Sequence, residues 1–336
     1  MAPYPVNVTV SVLYSCNSRC KTCNVYEKQV QNFSINEYRK TFKSLGETPY
    51  WFTISGGEPF LRKDIVEICV AACEICKPGI INIPTNGSLY HIIPERVEAI
   101  VNKCPNTEII INLSLDEIGK RHDEIRGFPD NWDRALKTYE GLKQLRKYSN
   151  FTLGIHTVIS AFNVERFKEI YKELINLEPD SYITEIAEER VELGTVGLPI
   201  MPEKEKYFKA IDFLKQEMRG QKISGIARVA RAFRLEYYEL VKQYLLQHEQ
   251  VIPCYAGITS CQISPDGDIW PCCVRADSMG NLRENNYDFK KIWNSNTATS
   301  IRASIKNREC ACPLANASYT NLLLNSKSLL KIVRQY

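Results

Sequence analysis

The stretch "SCNSRCKTCN", Ser15 to Asn24, follows the first predicted strand and carries Cys16, Cys20 and Cys23. Polar and basic residues separate these cysteines, so the stretch lacks the apolar stripe of a buried helix. We therefore interpret it as a loop, in which Arg19 and Lys21 would favour deprotonated sulfur. Such a loop can wrap three thiolates around one metal group.

A second triplet with the same spacing lies in "CVAACEIC", at Cys69, Cys73 and Cys76. These positions share one face of a predicted helix with apolar neighbours. Free cysteine is among the most buried residue types in proteins. We therefore interpret this triplet, and Cys104, as core residues.

β-branched runs alternate with amphipathic segments through the first half of the chain, which predicts repeated βα units. Six units are too few for an eight-stranded barrel. We expect an α/β fold: a partial (β/α)6 barrel over residues 1–200, a helical connector over 201–250, and a small C-terminal cysteine-rich α+β domain over 251–336. The "PDG" turn in "SPDGDIW" predicts a hairpin in that last domain.

Composition narrows the class of protein. Of the 336 residues, 44% are hydrophobic and 24% charged, and the net charge of +4 is small and spread out, which gives no basis for a nucleic-acid partner. "MAPYPVNVTV" has no signal-peptide pattern, and we expect a cytoplasmic protein. In that setting the thirteen cysteines favour metal ligation or buried thiols over disulfides.

Each iron of a cubane cluster needs one outer ligand, so three cysteines leave one iron open. Three cysteines separated by three and then two residues after a first strand resemble the signature of the radical S-adenosylmethionine (SAM) family. The resemblance implies a [4Fe-4S] cluster whose open iron chelates SAM, and a flavodoxin or ferredoxin that reduces it. Reduction would then split SAM into methionine and a 5′-deoxyadenosyl radical.

Further segments at predicted strand ends resemble SAM-binding segments of that family. "SGGEPF" supplies Gly56, Gly57, Glu58 and Pro59 and is similar to the glycine-rich segment that holds the amino group of SAM. The glycines would let backbone approach a ligand closely, and Glu58 would accept from an ammonium. Asn86 follows the third strand in "PTNG".

The fourth strand runs into "SLDE", where Ser114 and Asp116 could bind ribose hydroxyls. Arg126 in "HDEIRG" is a candidate contact for a carboxylate of SAM or of substrate, with a loop-capping surface arginine as the alternative. In the family the residue before the third cysteine is often aromatic and lies against adenine, whereas this chain has Thr22. Tyr26 is the candidate replacement.

From Cys254 onward the chain resembles the SPASM or shortened Twitch domain, whose cysteines bind auxiliary clusters. The six cysteines of this region are Cys254, Cys261, Cys272, Cys273, Cys310 and Cys312. Six suffice for one four-thiolate cubane and not for two, so we predict one auxiliary [4Fe-4S] cluster. The first-choice ligands are Cys254, Cys272, Cys310 and Cys312, with Cys261 as the substitute and a structural zinc site as the alternative.

The implied activity is a radical SAM oxidoreductase that abstracts hydrogen from a substrate carbon, assisted by the auxiliary cluster. Glu185 and Glu188 in "ITEIAEERVE" are candidate bases, and His156 is a barrel histidine or a catalytic one. The early position of the cysteine loop favours a small molecule or sugar over a peptide substrate. A peptide- or protein-modifying maturase and a non-enzymatic iron–sulfur or zinc protein are the alternatives.

The tail "YTNLLLNSKSLLKIVRQY" is amphipathic and basic. A packed C-terminal helix would explain this pattern. The alternative is contact with a membrane surface that presents a lipid-linked substrate.

Overall fold

The computed structural model describes residues 3–221 and 226–335. Within them, six strands alternate with helices through the first half of the chain, as the sequence predicts. The strands are β1 (Asn7–Ser11), β2 (Trp51–Ser55), β3 (Ile80–Thr85), β4 (Glu108–Ser114), β5 (Phe151–Ile159) and β6 (Ser181–Ile186). The helices are α1 (Ile35–Leu45), α2 (Ile65–Cys76), α3 (Ile93–Lys103), α4 (Gly119–Arg126), α5 (Asn131–Lys143) and α6 (Phe167–Ile175).

Two long helices, α7 (Lys204–Gly220) and α8 (Ile226–Gln247), occupy the expected connector, of which residues 222–225 lie outside the described residues. Shorter elements follow. They are β7 (Ser260–Ile263), β8 (Asp268–Trp270), β9 (Gly280–Asn281), α9 (Phe289–Trp293), α10 (Asn296–Lys306), α11 (Ala315–Leu323) and α12 (Ser326–Gln335). Tyr336, the last residue of the predicted amphipathic tail, is also outside the described part.

All nine described strands belong to one sheet, in the order β6-β5-β4-β3-β2-β1-β7-β8-β9. β1 to β6 pair in parallel, which confirms the α/β partial barrel. β7 also pairs in parallel with β1, with Val8 opposite Cys261 and Val10 opposite Ile263. The C-terminal domain therefore extends the sheet of the barrel at the free edge of β1.

The main core lies between this sheet and its helices. Val8, Val10, Ile54 and Phe52 of the first two strands are fully buried in it. Among the cysteines of the second triplet, Cys69 and Cys76 are buried in this core and Cys73 is half-buried against it. Their placement matches the core interpretation, because the apolar face of α2 carries them into the interior.

A capping box starts α1 and also ties it to the C-terminal domain. The Ser34 Oγ accepts from the Glu37 amide at 3.4 Å, and the Glu37 Oε2 accepts from the Ser34 amide at 2.8 Å. The other oxygen of Glu37 accepts from Arg283 Nε at 2.7 Å and from the Tyr287 hydroxyl at 2.9 Å. One carboxylate thus organises a helix start and a contact between distant parts of the chain.

None of the helices in the described ranges has the length and apolarity needed to cross a membrane.

Candidate active site and auxiliary cysteine site

A cavity of about 230 Å³ opens at the C-terminal ends of the parallel strands, the edge where barrel enzymes place their chemistry. Cys16, Cys20 and Cys23 line one wall of it. The ends of β2 to β6 and the loop after β6 form the remaining walls. The fold therefore brings the cysteine loop to the expected edge of the sheet.

Nitrogen donors surround the sulfurs of this loop. The Ser18 amide lies 3.4 Å and the Asn86 Nδ2 4.0 Å from the Cys16 Sγ, and the Arg126 Nη1 lies 3.8 Å from the Cys20 Sγ. Burial raises the pKa of Cys16 to about 11 and that of Cys23 to about 12. Iron binding would therefore displace protons from these thiols, after which the donors would stabilise thiolates.

The cation beside the thiols is Arg126. The sequence instead predicted that Arg19 and Lys21 would favour deprotonated sulfur. The Arg19 guanidinium donates to the Cys16 carbonyl at 2.7 Å and stacks 4.1 Å over the Tyr26 ring. The Lys21 Nζ lies 5.5 Å from the centre of the Phe162 ring. Both side chains turn away from the cavity because local carbonyls and aromatic rings offer partners on the outer surface.

Arg126 forms a buried ion pair instead of an open carboxylate site. Its Nη2 lies 3.0 Å from the Asp116 Oδ2, and the two side chains are only 12% and 3% exposed. The Asp116 Oδ1 accepts from the Val158 amide at 2.8 Å, so both of its oxygens have partners within the chain. Arg126 Nε is a buried donor without a partner among the described residues, and it fits an anionic or oxygen-bearing ligand in the cavity.

Gly56 and Gly57 line the cavity. Their surroundings show that packing against backbone, and not close approach to a ligand, requires glycine at these two positions. A Cβ atom on Gly56 would lie 2.1 Å from the Leu13 carbonyl oxygen, and one on Gly57 would lie 2.1 Å from that of Ser15. The Gly57 amide donates to the Leu13 carbonyl at 2.8 Å. These glycines therefore let the end of β2 pack directly on the backbone that leads into the cysteine loop.

The contacts of Glu58 also differ from its predicted role, which was to accept a hydrogen bond from an ammonium group. Its carboxylate is 1% exposed and accepts from the Phe60 amide at 3.1 Å, the Thr85 hydroxyl at 2.9 Å and the Asn86 amide at 2.8 Å. Burial raises the pKa of Glu58 to about 7, against the effect of these donors. Glu58 and the buried Pro59 lie outside the cavity lining, and the carboxylate joins the ends of β2 and β3.

Asn86 extends this series of hydrogen bonds from β3 to the cysteine loop. Its Nδ2 donates to the Asn17 Oδ1 at 2.8 Å and to the Ser18 Oγ at 3.0 Å. Its Oδ1 accepts from the Ser88 amide at 2.9 Å. The loop is thus positioned by β3 as well as by β2. Asn86 lines the cavity, together with Thr22 from the loop itself.

Charged side chains from β5, β6 and the loop after β6 form another part of the cavity lining. His156, which pairs in register with Ser114 of the neighbouring strand, places its Nε2 3.0 Å from the Glu185 Oε1. The Arg190 Nη2 lies 2.8 Å from the Glu185 Oε2 and 3.0 Å from the Glu188 Oε1. All five of these side chains line the cavity, and four of them form one continuous chain of polar contacts.

The two acids of this wall have opposite environments. Although burial opposes it, Arg190 and His156 hold the pKa of Glu185 well below its usual range. Burial raises the pKa of Glu188 to about 7, against the effect of Arg190. The Glu188 Oε2 is a buried acceptor with no partner in the described part of the chain. This oxygen is free to accept a hydrogen bond or a proton from a ligand in the cavity.

Arg190 is not among the site residues predicted from the sequence, although it lies just beyond Glu188 and Glu189. Arg190 reaches the wall because the loop after β6 folds back across the cavity. The Asn24 amide donates to the Leu193 carbonyl at 2.8 Å, and the Val191 amide donates to the Val274 carbonyl at 3.1 Å. The basic residue within "EERVE" was the only sequence signal for it.

Four C-terminal cysteines pack around one small core of Ala256, Cys273, Ile305, Leu314 and Ala317. They are Cys254, Cys272, Cys310 and Cys312, the first-choice set from the sequence. Burial raises the pKa of Cys272 to about 12, and the thiols of Cys254 and Cys310 are near enough to add to the rise. Four clustered, half-buried thiols fit the donor set of an auxiliary cubane.

The two remaining cysteines of this region lie elsewhere. Cys261 is buried in β7 within the main core, and the charged group beside it is Arg302. Cys273 belongs to the small core itself and is 6% exposed. The structure therefore does not bring Cys261 to the four clustered thiols, because its side chain points from the sheet into the barrel core.

A parallel partial barrel with three cysteines at its mouth, followed by a domain in which four of six cysteines cluster, defines a class of iron–sulfur enzyme. Comparison with protein-family models matches residues 10–174 to the Radical SAM superfamily and residues 254–313 to SPASM, an iron–sulfur cluster-binding domain. The chain belongs to the radical SAM superfamily and carries a SPASM domain. The cofactors of these domains are a [4Fe-4S] cluster, SAM and auxiliary iron–sulfur.

Curated relatives differ in their named activities. An AdoMet-dependent heme synthase of Oleidesulfovibrio alaskensis is 24% identical over 306 residues, which cover 84% of this chain and 72% of that protein. The subtilosin biosynthesis protein AlbA of Bacillus subtilis is 24% identical over 87% of this chain, and the match spans only 60% of AlbA. A probable GTP 3′,8-cyclase of Saccharolobus islandicus is 26% identical over 81% of this chain and 84% of its own length.

Solved structures share the fold. SuiB of Streptococcus suis bound to SAM aligns with a TM-score of 0.64 and 17% identity, over 89% of this chain and 68% of SuiB. The anSMEcpe structure with bound AdoMet and Cp18Cys peptide aligns with a TM-score of 0.63 and 14% identity, over 98% of this chain and 96% of that one. At these identities the likeness shows the fold alone.

Proposed function

We propose that this enzyme oxidises a hydroxyl-bearing carbon of a polar small molecule, such as a sugar, in the cytoplasm. The observation that carries the proposal is the Glu188 Oε2, which has no partner among the described residues and belongs to a side chain lining the same cavity as the three loop cysteines. Burial and, after it, the negative charge of this carboxylate raise the pKa of Cys312, one of the clustered thiols. We infer that Glu188 would act as a proton acceptor near both cysteine sites.

Cys16, Cys20 and Cys23 would hold the SAM-binding cluster, and the Arg126 Nε would donate to SAM. When bound, the cluster and SAM supply a 5′-deoxyadenosyl radical that takes a hydrogen atom from the substrate carbon. The donors around the sulfurs would hold the cysteine loop in place, and the loop after β6 would help to keep water away from the charged side chains. A flavodoxin or ferredoxin would supply the initiating electron.

The second half of the oxidation needs two acceptors. A carbon radical that bears a hydroxyl becomes a carbonyl when it loses one proton and one electron. Glu188 would take the hydroxyl proton at its Oε2, because Arg190 binds only the other oxygen. Cys254, Cys272, Cys310 and Cys312 would hold the single auxiliary cluster that accepts the electron.

The charged wall supports a polar substrate. His156, Glu185, Glu188 and Arg190 converge on one side of the cavity and offer both donors and acceptors. Hydroxyl groups, which donate and accept, can satisfy both kinds of partner. An apolar ligand at this wall would leave the Glu188 Oε2 buried without a hydrogen bond, which is unfavourable.

A peptide-modifying maturase is the second candidate. AlbA is named for bacteriocin biosynthesis, and SuiB has been solved with the precursor peptide SuiA. The same radical chemistry would then act on a peptide side chain that enters the cavity, with Glu188 in the same position. The substrate distinguishes the two candidates, and the cofactor chemistry is common to both.

The test is an anaerobic turnover assay with dithionite and SAM against one panel of sugars and polyols and one panel of short peptides. Wild type is expected to form 5′-deoxyadenosine together with a sugar product lighter by two mass units. Glu188→Gln is expected to keep 5′-deoxyadenosine formation and lose at least about 100-fold in oxidised product, in the usual range for a general base. Glu189→Gln, an exposed neighbour, is the matched control.

Oxidised product formed by Glu188→Gln at the wild-type rate would overturn the role of Glu188. Turnover with peptides alone would replace the first candidate with the second. The Cys16, Cys20 and Cys23 triple alanine variant should show neither activity, and SAM cleavage by it would refute the assignment of the first cluster.

A further inference from the structure

The corner between α11 and α12 presents large aliphatic side chains to solvent. Leu323, Leu324, Leu330 and Val333 are 52%, 51%, 60% and 69% exposed, respectively. They lie within eleven residues of sequence: Leu323 ends α11, Leu324 lies in the turn after it, and Leu330 and Val333 belong to α12. We call these four residues the corner patch. Grouped aliphatic exposure of this kind is typical of a binding surface, whereas isolated exposed residues need no explanation.

The corner patch belongs to a helix that is held in place by its other face. Ile332 is 4% exposed and Ser328 is likewise buried, which seats α12 on the body of the protein. The Lys331 Nζ lies 3.2 Å from the Glu236 Oε1 on α8. The packing of α12 fits the packed-helix interpretation of the tail. Leu330 and Val333 therefore face outward as a consequence of defined packing.

The charged residues that α12 itself contributes have one sign. The sequence from residue 310 to residue 336 contains Lys327, Lys331 and Arg334 and no Asp or Glu. Lys327, Leu330 and Arg334 follow one another at helical spacing, so cations and aliphatic side chains share the outer face of α12. Aliphatic residues interleaved with basic ones are the pattern of helices that lie in the interface of an anionic bilayer.

We propose that the corner patch and its flanking cations bind the surface of an anionic lipid membrane, with α12 lying parallel to the bilayer. The aliphatic side chains would enter the boundary between headgroups and acyl chains, and Lys327 and Arg334 would bind lipid phosphates. A second copy of this chain fits less well, because a two-fold contact would place the same positive charges against each other. The inference is independent of the proposed oxidation.

The test is co-sedimentation of the anaerobically reconstituted holoenzyme with vesicles. The vesicles are either pure phosphatidylcholine or contain phosphatidylglycerol at about 30%, a composition chosen to carry a negative surface potential. Binding is expected to the second kind only, and to weaken as salt is raised. Each cation near an anionic surface contributes about 1 kcal/mol, or about fivefold in affinity. Lys327→Gln with Arg334→Gln should therefore weaken binding about 25-fold.

Leu330→Glu with Val333→Glu should abolish the binding. Leu246→Glu is the matched control, because Leu246 is 61% exposed on α8 and outside the corner patch. Iron content and the circular dichroism spectrum of each variant show whether it has folded, and both should equal those of wild type. The proposal would be overturned if wild type sedimented equally with neutral and with anionic vesicles. It would also be overturned if the Leu330→Glu, Val333→Glu variant sedimented with anionic vesicles as well as wild type does.

Light scattering in the absence of lipid tests the alternative that a second copy of this chain covers the corner patch. A monomeric wild type supports the membrane assignment. A wild-type dimer that the Leu330→Glu and Val333→Glu changes convert to monomers, together with no sedimentation on either kind of vesicle, would assign the corner patch to self-association and refute membrane binding.

Discussion

Gly57→Ala tests how the end of β2 positions the cysteine loop. The added Cβ would lie 2.1 Å from the Ser15 carbonyl oxygen and 2.6 Å from that of Tyr14. Both contacts are with backbone, so no side chain can rotate out of the way. The backbone around Ser15 must therefore shift by roughly 1 Å to restore normal contact, and Cys16 is the next residue.

The expected cost follows from that overlap. Forcing extra volume into a packed site typically costs about 1–3 kcal/mol in the free energy of unfolding. A displacement of this size also disturbs Cys16, whose sulfur lies 3.4 Å from the Ser18 amide. We expect the variant to bind about four irons instead of about eight, since only the first cluster should be lost.

The assay is iron and sulfide content after anaerobic reconstitution, with SAM cleavage and thermal unfolding measured alongside. Gly220→Ala is the matched control, because a Cβ there, at the end of α7, meets no atom of the described residues within 4 Å. That control should keep both clusters and gain up to about 1 kcal/mol in stability. Full iron content and wild-type SAM cleavage in Gly57→Ala would refute the steric reasoning.

Three further predictions concern other parts of the fold. Arg283 lowers the pKa of Glu37 to about 2, so this carboxylate stabilises the fold above its ordinary pKa of 4.5 and loses that effect as the pH falls towards 2. Glu37→Gln should remove about 1–2 kcal/mol from the unfolding free energy of the apo-protein at pH 7 and flatten its pH dependence below 4.5; denaturant titrations that match wild type at every pH would contradict this. Cys272→Ala should halve the iron content and Cys261→Ala should leave it at about eight atoms; the reverse result would make Cys261 the ligand. Glu58→Gln should lower the free energy of unfolding by about 1–3 kcal/mol, because the amide cannot accept from all three donors. An unchanged midpoint of thermal or chemical unfolding would show that Glu58 does not stabilise the fold in this way.

The elements that position the site could be predicted from local sequence. Alternation of β-branched runs with amphipathic segments indicated all six barrel strands, and the polar residues between Cys16, Cys20 and Cys23 distinguished the site from the buried triplet at Cys69. The small core also gathers Cys254, Cys272, Cys310 and Cys312, the first-choice ligands that the SPASM resemblance implied, and their binding of a cluster stays a prediction. Patterns of this kind succeed because burial and spacing are local properties of the chain.

The contacts made by individual polar side chains could not be predicted in the same way. Glu58 accepts from Thr85 and Asn86, which are 27 and 28 residues away, and Arg126 at the end of α4 pairs at 3.0 Å with Asp116, which follows β4. Arg190 pairs with Glu185 and Glu188, which are close to it in sequence, but residue type alone does not show that these three side chains line the cavity. The partners of Glu58 depend on tertiary approach, and the orientation of the Arg190 pairs depends on how the loop after β6 packs.

The parallel pairing of β1 with β7 has a consequence for any attempt to divide this protein. β1 contributes hydrogen bonds to β2 on one side and to β7 on the other. A fragment that ends near residue 250 would leave one backbone edge of β1 without a neighbour, and an uncovered edge strand invites aggregation between chains. The C-terminal domain therefore covers an edge of the barrel sheet, in addition to carrying the auxiliary cysteines. We expect the domain and the barrel to unfold together.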